Sequence, residues 1–188
     1  MRNSNNEKKK LIIMSARQIF ADKGFDLATV DEIMEKAKLS KGTFYTYFSS
    51  KEQLIKEIAI SVSPVEVLNS VIEKEYNNVK EMLNDLALKY ILKYSNLTER
   101  KLFLYSIGIA NRYNEIKEIF KKIYHMNYIK LKEKIQNLTG KMVDEIYLKI
   151  FLGSLFYYVI SMNFAERIEQ PYEYVQKIVD LLLSSMIV

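Results

Sequence analysis

Between Thr29 and Lys51 the chain reads TVDEIMEKAKLSKGTFYTYFSSK, and three helix starts crowd into this one stretch. Thr29 followed by Glu32 has the spacing of a capping box, in which each residue satisfies a backbone N–H near the other. Ile33, Met34 and Ala37 then give the first helix one apolar side. Lys38-Leu39-Ser40 has the length of the turn in a helix-turn-helix, and Ser40 suits the cap position of the next helix. Ser49-Ser50, with Gln53 in the reciprocal place, opens a third helix and so keeps the second one short. Caps packed this closely serve to present one helix to something outside the protein.

What the short helix presents follows from its pitch. At about 100° per residue, Phe44 and Phe48 fall on one face and point inward. Tyr45 lies to one side of that face, Thr43 and Tyr47 to the other, and Gly42 and Thr46 point farthest away. The outer surface therefore carries hydroxyls, the Lys41 ammonium and a glycine that permits close approach, with Lys51 just beyond. Such groups bind phosphate oxygens and base edges. A solvated helix with its tyrosines packed on neighbours is the bland alternative.

At these residues the chain resembles a known family. The run from Ser40 to Leu54, SKGTFYTYFSSKEQL, is similar to the N-terminal domain of TetR-family transcriptional regulators. The similarity extends back through Thr29-Val30-Asp31-Glu32-Ile33 and Phe20-Ala21-Asp22-Lys23-Gly24-Phe25, covering about the first third of the chain. One departure is visible: the family usually has glycine in the turn where this chain has Lys38. A lysine held at positive φ there costs about 1 kcal/mol. The resemblance implies an all-α protein of about nine helices. A helix-turn-helix DNA-binding domain would occupy residues 1–52, and an effector-binding and dimerisation domain residues 53–188.

Composition agrees with that expectation. Five glycines, two prolines and no strand-like alternation favour helices throughout. The absence of cysteine excludes disulfides, thiolate nucleophiles and sulfur-ligated metals, and is compatible with a cytoplasmic protein. Charge is informative by location. Residues 1–56 hold 11 Lys+Arg against 7 Asp+Glu, whereas residues 57–188 hold 17 against 16. The basic excess lies in the helix-turn-helix segment, as expected of a phosphate-facing module. Ile150 to Ala165 is very apolar, but falls short of the about 20 residues needed to span a bilayer.

Nothing in the chain suggests catalysis. His125 is its single histidine and stands beside Tyr124 and Tyr128 in a helical run. No glycine-rich phosphate loop, nucleophile-base pair, metal motif or cofactor signature accompanies it. Glu115 and Glu118 precede Lys121 and Lys122 at the spacing of ordinary helix-surface pairs.

The remaining chain reads as helices. The first spans about Glu7–Lys23, with Ile12, Ala16, Ile19 and Phe20 inward and Gly24 terminating it in the αL conformation. Lys8-Lys9-Lys10 leads in, as a solvated tail or a DNA-contacting arm. After a helix from about Lys51, Pro64 marks a kink or a break. Amphipathic stretches follow at about 65–76, 79–94, 98–111 and 114–137, with Thr98 suited to a cap. Two apolar helices close the chain at about 141–167 and 171–187, the second opened by Pro171.

The resemblance also distributes roles. Thr43 and Lys41 become candidates for base-edge contacts. Thr29, Tyr45, Tyr47 and Lys51 become candidates for phosphate contacts, and Ser40, Gly42 and Thr46 complete the DNA-facing set. A homodimer on a palindromic double-stranded operator is implied, with its interface on the last two helices at Leu152, Phe156, Val159, Asn163, Ile178, Leu182 and Met186. An effector pocket is implied in the aromatic-rich domain, with Tyr90, Tyr94, Phe103, Tyr105, Phe120, Tyr124, Tyr128, Phe151, Leu155 and Tyr158 as candidates. Aromatic rings with a few hydroxyls suit a small, mostly apolar or cationic guest.

Overall fold

The computed structural model describes residues 2–141, 143–165 and 168–185, with the side chains of residues 2–5, 119, 122 and 123 set aside. Met186 of the expected interface lies outside the described residues. Ten helices and no strand are present among them: α1 Arg2–Leu27, α2 Val30–Ala37, α3 Lys41–Tyr47, α4 Lys51–Val62, α5 Val65–Ile72, α6 Val79–Ser95, α7 Leu97–Ile109, α8 Asn114–Thr139, α9 Glu145–Ser161 and α10 Pro171–Ser185. The number is ten rather than about nine, with Ser63-Pro64 separating α4 from α5 as a full break.

Packing gathers these helices into two compact units that are not contiguous in sequence. One comprises Met1–Ser63 and Leu97–Phe120, the other Pro64–Asn96 and Lys121–Val188. The division at 52/53 follows where a motif ends. The units follow where apolar faces meet, which assigns α4, α7 and the start of α8 to the same body as α1–α3.

In the first unit α1 packs on α2, α4 and α7, and α7 also packs on α4. Ile12, Ala16, Phe20, Ile33, Phe44, Phe48, Leu54, Leu102 and Phe103 form its fully buried centre. Ion pairs rim that core: Arg17 with Glu99, Arg112 with Asp26, and Lys56 with Glu115. Glu115 therefore reaches α4 rather than a lysine on its own helix. Lys8-Lys9-Lys10 belongs to α1 rather than to a tail, and Lys9 pairs with Glu57 at 2.8 Å. Gly24 interrupts α1 at φ 79°, ψ 170°, a mirror-extended conformation rather than αL, and one that glycine alone adopts readily.

In the second unit α6 packs against α5, α9 and α10, and α9 against α10. Met82, Leu83, Leu86, Ile91, Tyr94, Leu148, Leu155, Val159, Val175 and Val179 are buried. Tyrosine hydroxyls tie its elements to backbone: Tyr174 donates to the Ser154 carbonyl at 2.8 Å, and Tyr158 to the Glu169 carbonyl at 2.6 Å. Tyr76 donates to Asp85 at 2.5 Å, closing the α5–α6 connection. Two end positions differ from expectation. Thr98 lies inside α7, which begins at Leu97 immediately after Asn96, and Asp144 rather than the Lys141 region caps α9.

Candidate functional site

The turn between α2 and α3 is built as its residues dictate. Thr29 Oγ1 accepts the Glu32 N–H at 3.2 Å, and a Glu32 carboxylate oxygen accepts the Thr29 N–H at 3.0 Å. Lys23 donates to the same carboxylate at 2.5 Å. Together these bonds, that of Lys23 foremost, hold the Glu32 carboxyl down at about 2. A depressed carboxyl stabilises the fold fully above its ordinary unfolded value, and that contribution is lost as pH falls through the folded one. The sloping acid limb of unfolding between about pH 4.5 and 2 is expected to flatten in Glu32→Gln, read by circular dichroism across a pH series.

Lys38 closes α2 at φ 55°, ψ 40°, in the left-handed region the missing glycine would have favoured. Its N–H donates to the Glu35 carbonyl at 3.0 Å and that of Leu39 to the Met34 carbonyl at 3.0 Å, so the helix end is satisfied despite the strain. Ser40 occupies the cap position of α3 but makes no side-chain cap. Its hydroxyl instead meets Thr43 Oγ1 at 2.9 Å, while the Ser40 carbonyl accepts the Thr43 N–H. At the start of α4, Ser50 Oγ accepts the Gln53 N–H, and Gln53 Oε1 accepts the Ser49 N–H at 2.6 Å.

Within α3 the two faces separate as the pitch requires. Phe44 and Phe48 are wholly buried with ring centroids 5.5 Å apart. Lys41, Gly42, Tyr45 and Thr46 are exposed, and Thr43 and Tyr47 are half-buried. A side chain at Gly42 would meet no atom, so nothing inside the protein crowds that position. Lys41 Nζ is paired with Asp31 at 2.8 Å, which raises its pKa. Any phosphate or base edge taken by Lys41 must share its ammonium with that carboxylate or displace it.

Lys51 is placed differently from the surface contact expected of it. Its ammonium donates to the carbonyls of Phe25 at 3.0 Å, Asp26 at 3.3 Å and Ala28 at 2.9 Å. The group thus satisfies the end of α1 and fixes the approach to Thr29. Charge-assisted bonds of this kind contribute about 1.5–3 kcal/mol. Lys51→Met is expected to lower the melting temperature by roughly 2–4 °C for each kcal/mol lost in a chain of this length. An unchanged melting temperature would return Lys51 to a purely surface role.

A second concave site lies in the unit of α5, α6, α9 and α10, where a cavity of about 1130 Å³ opens between α8 and α9. Tyr124, His125, Tyr128 and Lys132 recur at helical spacing along the α8 wall; Glu145, Lys149, Leu152 and Phe156 do so along α9. Pro64, Leu68, Leu86 and Tyr90 also line it. Of the expected pocket residues, Tyr90, Tyr124 and Tyr128 line the cavity. Tyr94, Phe151, Leu155 and Tyr158 are buried core of the same unit, and Phe103, Tyr105 and Phe120 belong to the other. Sequence reasoning missed the polar lining, Lys121, His125, Asn127, Lys132 and Lys149 among it, because it counted aromatics. The α8 stripe was the available signal.

The expected interface residues also divide. Val159 and Leu182 are buried within the chain, Leu152 and Phe156 line the cavity, Ile178 is half-buried and Asn163 exposed. Exposed apolar side chains lie elsewhere: Ile146, Ile150 and Tyr157 share one side of α9, Phe164 follows that helix, and Tyr172 and Leu181 stand on opposite sides of α10. Among the described residues no cluster of His, Asp and Glu could hold a metal, and no helix is long and apolar enough to cross a membrane.

Comparison with known proteins returns to the segment that carries α1–α4. The family model described as bacterial regulatory proteins, tetR family, matches residues 12–58. YuxN of Bacillus subtilis (strain 168), an uncharacterized HTH-type transcriptional regulator, is 30% identical over 148 residues, covering 73% of this chain and 48% of YuxN. The chain thus spans about half the length of that relative. The biofilm operon icaADBC HTH-type negative transcriptional regulator IcaR of Staphylococcus aureus (strain Newman) is 27% identical over 165 residues, 79% of this chain and 87% of IcaR. Salmonella enterica GusR superposes with a TM-score of 0.75 over 96% of this chain and 95% of its own, at 20% identity, a likeness of fold. With the matched segment coinciding with the capped α2–α3 turn, the chain belongs to the tetR family of bacterial regulatory proteins.

Proposed function

We propose that the protein is a DNA-binding transcriptional repressor that acts as a homodimer on a palindromic operator and is released by a small molecule. The observation that carries this reading is α3, whose inner face is pinned by Phe44 and Phe48 while Lys41, Gly42, Tyr45 and Thr46 stay outside. A helix of that build enters a major groove with its first turn toward base edges. Thr43 and Lys41 take the base edges. Thr29, Ser40, Tyr45, Thr46 and Tyr47 hold the sugar-phosphate backbone, and Lys51 supports them through the α1 carbonyls. IcaR, a negative regulator, favours repression over activation.

The exposed stripe of Ile146, Ile150 and Tyr157 on α9 supplies the self-complementary face of a two-fold dimer. Two such heads match operator half-sites about one helical turn or a multiple apart. The cavity along α8 serves as the effector site. A guest that binds one conformation of the dimer better than another shifts the population away from the operator-binding form. Because the operator is DNA, these steps take place in the cytoplasm.

Selection of duplexes from a random pool by the full chain tests the reading. An enriched palindrome is expected, and Thr43→Val should relax base preference at one or two positions per half-site by about 1–3 kcal/mol. Failure to retain any duplex at low salt would remove the proposal.

A further inference from the structure

We infer that the cavity between α8 and α9 takes an amphipathic acid, an apolar molecule ending in a carboxylate, with Tyr90 and Asn127 hydrogen-bonded to its head. This rests on the reading of that cavity as the effector site. Tyr90 and Asn127 are each only 7% exposed and both line the cavity. Neither side chain hydrogen-bonds to another described residue. Yet no wholly buried side-chain oxygen or nitrogen among the described residues lacks a partner. The polar atoms of Tyr90 and Asn127 therefore reach open space, and the cavity is the space both of them line. Buried polar groups are ordinarily paired within the protein, so two that face a cavity together mark where a guest's polar head belongs.

The character of that head follows from the groups around it. Burial raises the Tyr90 hydroxyl above the ordinary phenol range, so it stays protonated and can donate. The Asn127 amide donates as well. Charges on the wall lean only slightly toward an anion: Glu145 and Lys149 pair with each other at 3.0 Å, and Lys121 and Lys132 stand against Glu133. Both glutamates are exposed, as are Lys121 and Lys149, so no buried carboxylate replaces the water of a cationic head, and the buried donors Tyr90 and Asn127 are left to select an acid. The apolar lining, Leu68, Leu86, Leu131 and Phe156 among it, covers the rest of the guest. The cationic guest that aromatic rings alone suggested is thereby disfavoured.

Decanoate, 1-decanol and decyltrimethylammonium, below their micellar concentrations, share a chain length and differ in the head. Titrated calorimetrically into the full chain, decanoate is expected to bind at least about tenfold more tightly than the ammonium. Tyr90→Phe removes one oxygen to which no described residue hydrogen-bonds. Among the described residues it breaks no bond within the protein, so it should weaken decanoate by about tenfold at an unchanged melting temperature, and Asn127→Ser should act in the same direction. Leu152→Trp, which fills the cavity, should abolish binding of every probe. Equal or tighter binding of the ammonium or the alcohol would overturn the acid head while leaving the cavity as effector site. Indifference of decanoate to Tyr90→Phe would do the same. Binding of none of the three, or binding untouched by Leu152→Trp, would overturn both readings.

Discussion

Phe44→Ala is expected to destabilise the α1–α4 body by about 3–5 kcal/mol, the cost of an aromatic ring removed from a closed core. Phe44 is fully buried, and its ring meets both Phe48, at 5.5 Å, and Tyr45, at 5.3 Å. A seven-residue helix cannot hold itself in water, so α3 depends on that side chain for its position. A loss of this size is a large share of the about 5–15 kcal/mol that keeps a domain folded. Urea denaturation followed by circular dichroism gives the stability, and retention of the selected duplex gives the second readout. Both should fall together. Tyr45→Ala, at a side chain 56% exposed on the same helix, loses only its edge contact with Phe44 and should shift stability by about 0.5–1.5 kcal/mol while still weakening DNA binding. Equal destabilisation by the two variants would contradict the division of α3 into an inner and an outer face.

The second large effect concerns the dimer. Ile150→Glu combined with Tyr157→Glu places two carboxylates on the open stripe of α9, where the native side chains are 52% and 68% exposed. Exposed positions tolerate charge in a monomer, so the melting temperature of the isolated subunit should hardly move. Across a two-fold axis each new carboxylate meets apolar surface or its own copy, which desolvation forbids. Sedimentation should then report a monomer, and operator affinity should fall by about 100-fold or more as two linked half-site contacts become one. A dimer that survives the pair would move the interface elsewhere. The corresponding change at Val159, buried inside the chain, would instead unfold its unit and so cannot serve as the test.

Local chemistry made the head of the molecule legible before its structure. Capping depends on residues three or four apart, so Thr29 with Glu32 and Ser50 with Gln53 could be read directly. The inward turn of Phe44 and Phe48 needed only the helical pitch, whereas the positive φ at Lys38 followed only from the glycine that the resembling family usually has in that turn. Contacts between distant segments were the hidden part. Nothing near Lys51 in sequence announces that its ammonium ends on Phe25, Asp26 and Ala28. Ser40 matched a cap by residue type, yet its hydroxyl has Thr43 Oγ1 as a competing partner. In the second unit, hydrophobicity alone could not separate core from lining or interface. Tyr94 and Tyr90 lie one turn apart with rings 5.0 Å from each other; Tyr90 lines the cavity and Tyr94 does not. Val159 and Tyr157 are two residues apart and differ from fully buried to largely exposed because α9 packs on α6 and α10 along one side.

The return of α7 to pack on α1 and α4 has a consequence for how the protein is made. The apolar sides of α1 and α4 are covered by residues 97–120, which the ribosome adds only after all of α5 and α6. At about 5–20 residues per second, the nascent chain carries α1 to α4 for seconds with that surface uncovered. Through that interval the three carbonyls held by Lys51 and the ring pair of Phe44 and Phe48 are already available to hold the helices together. The final α7 cover arrives late, and the window before it is when a chaperone or a protease would meet this chain.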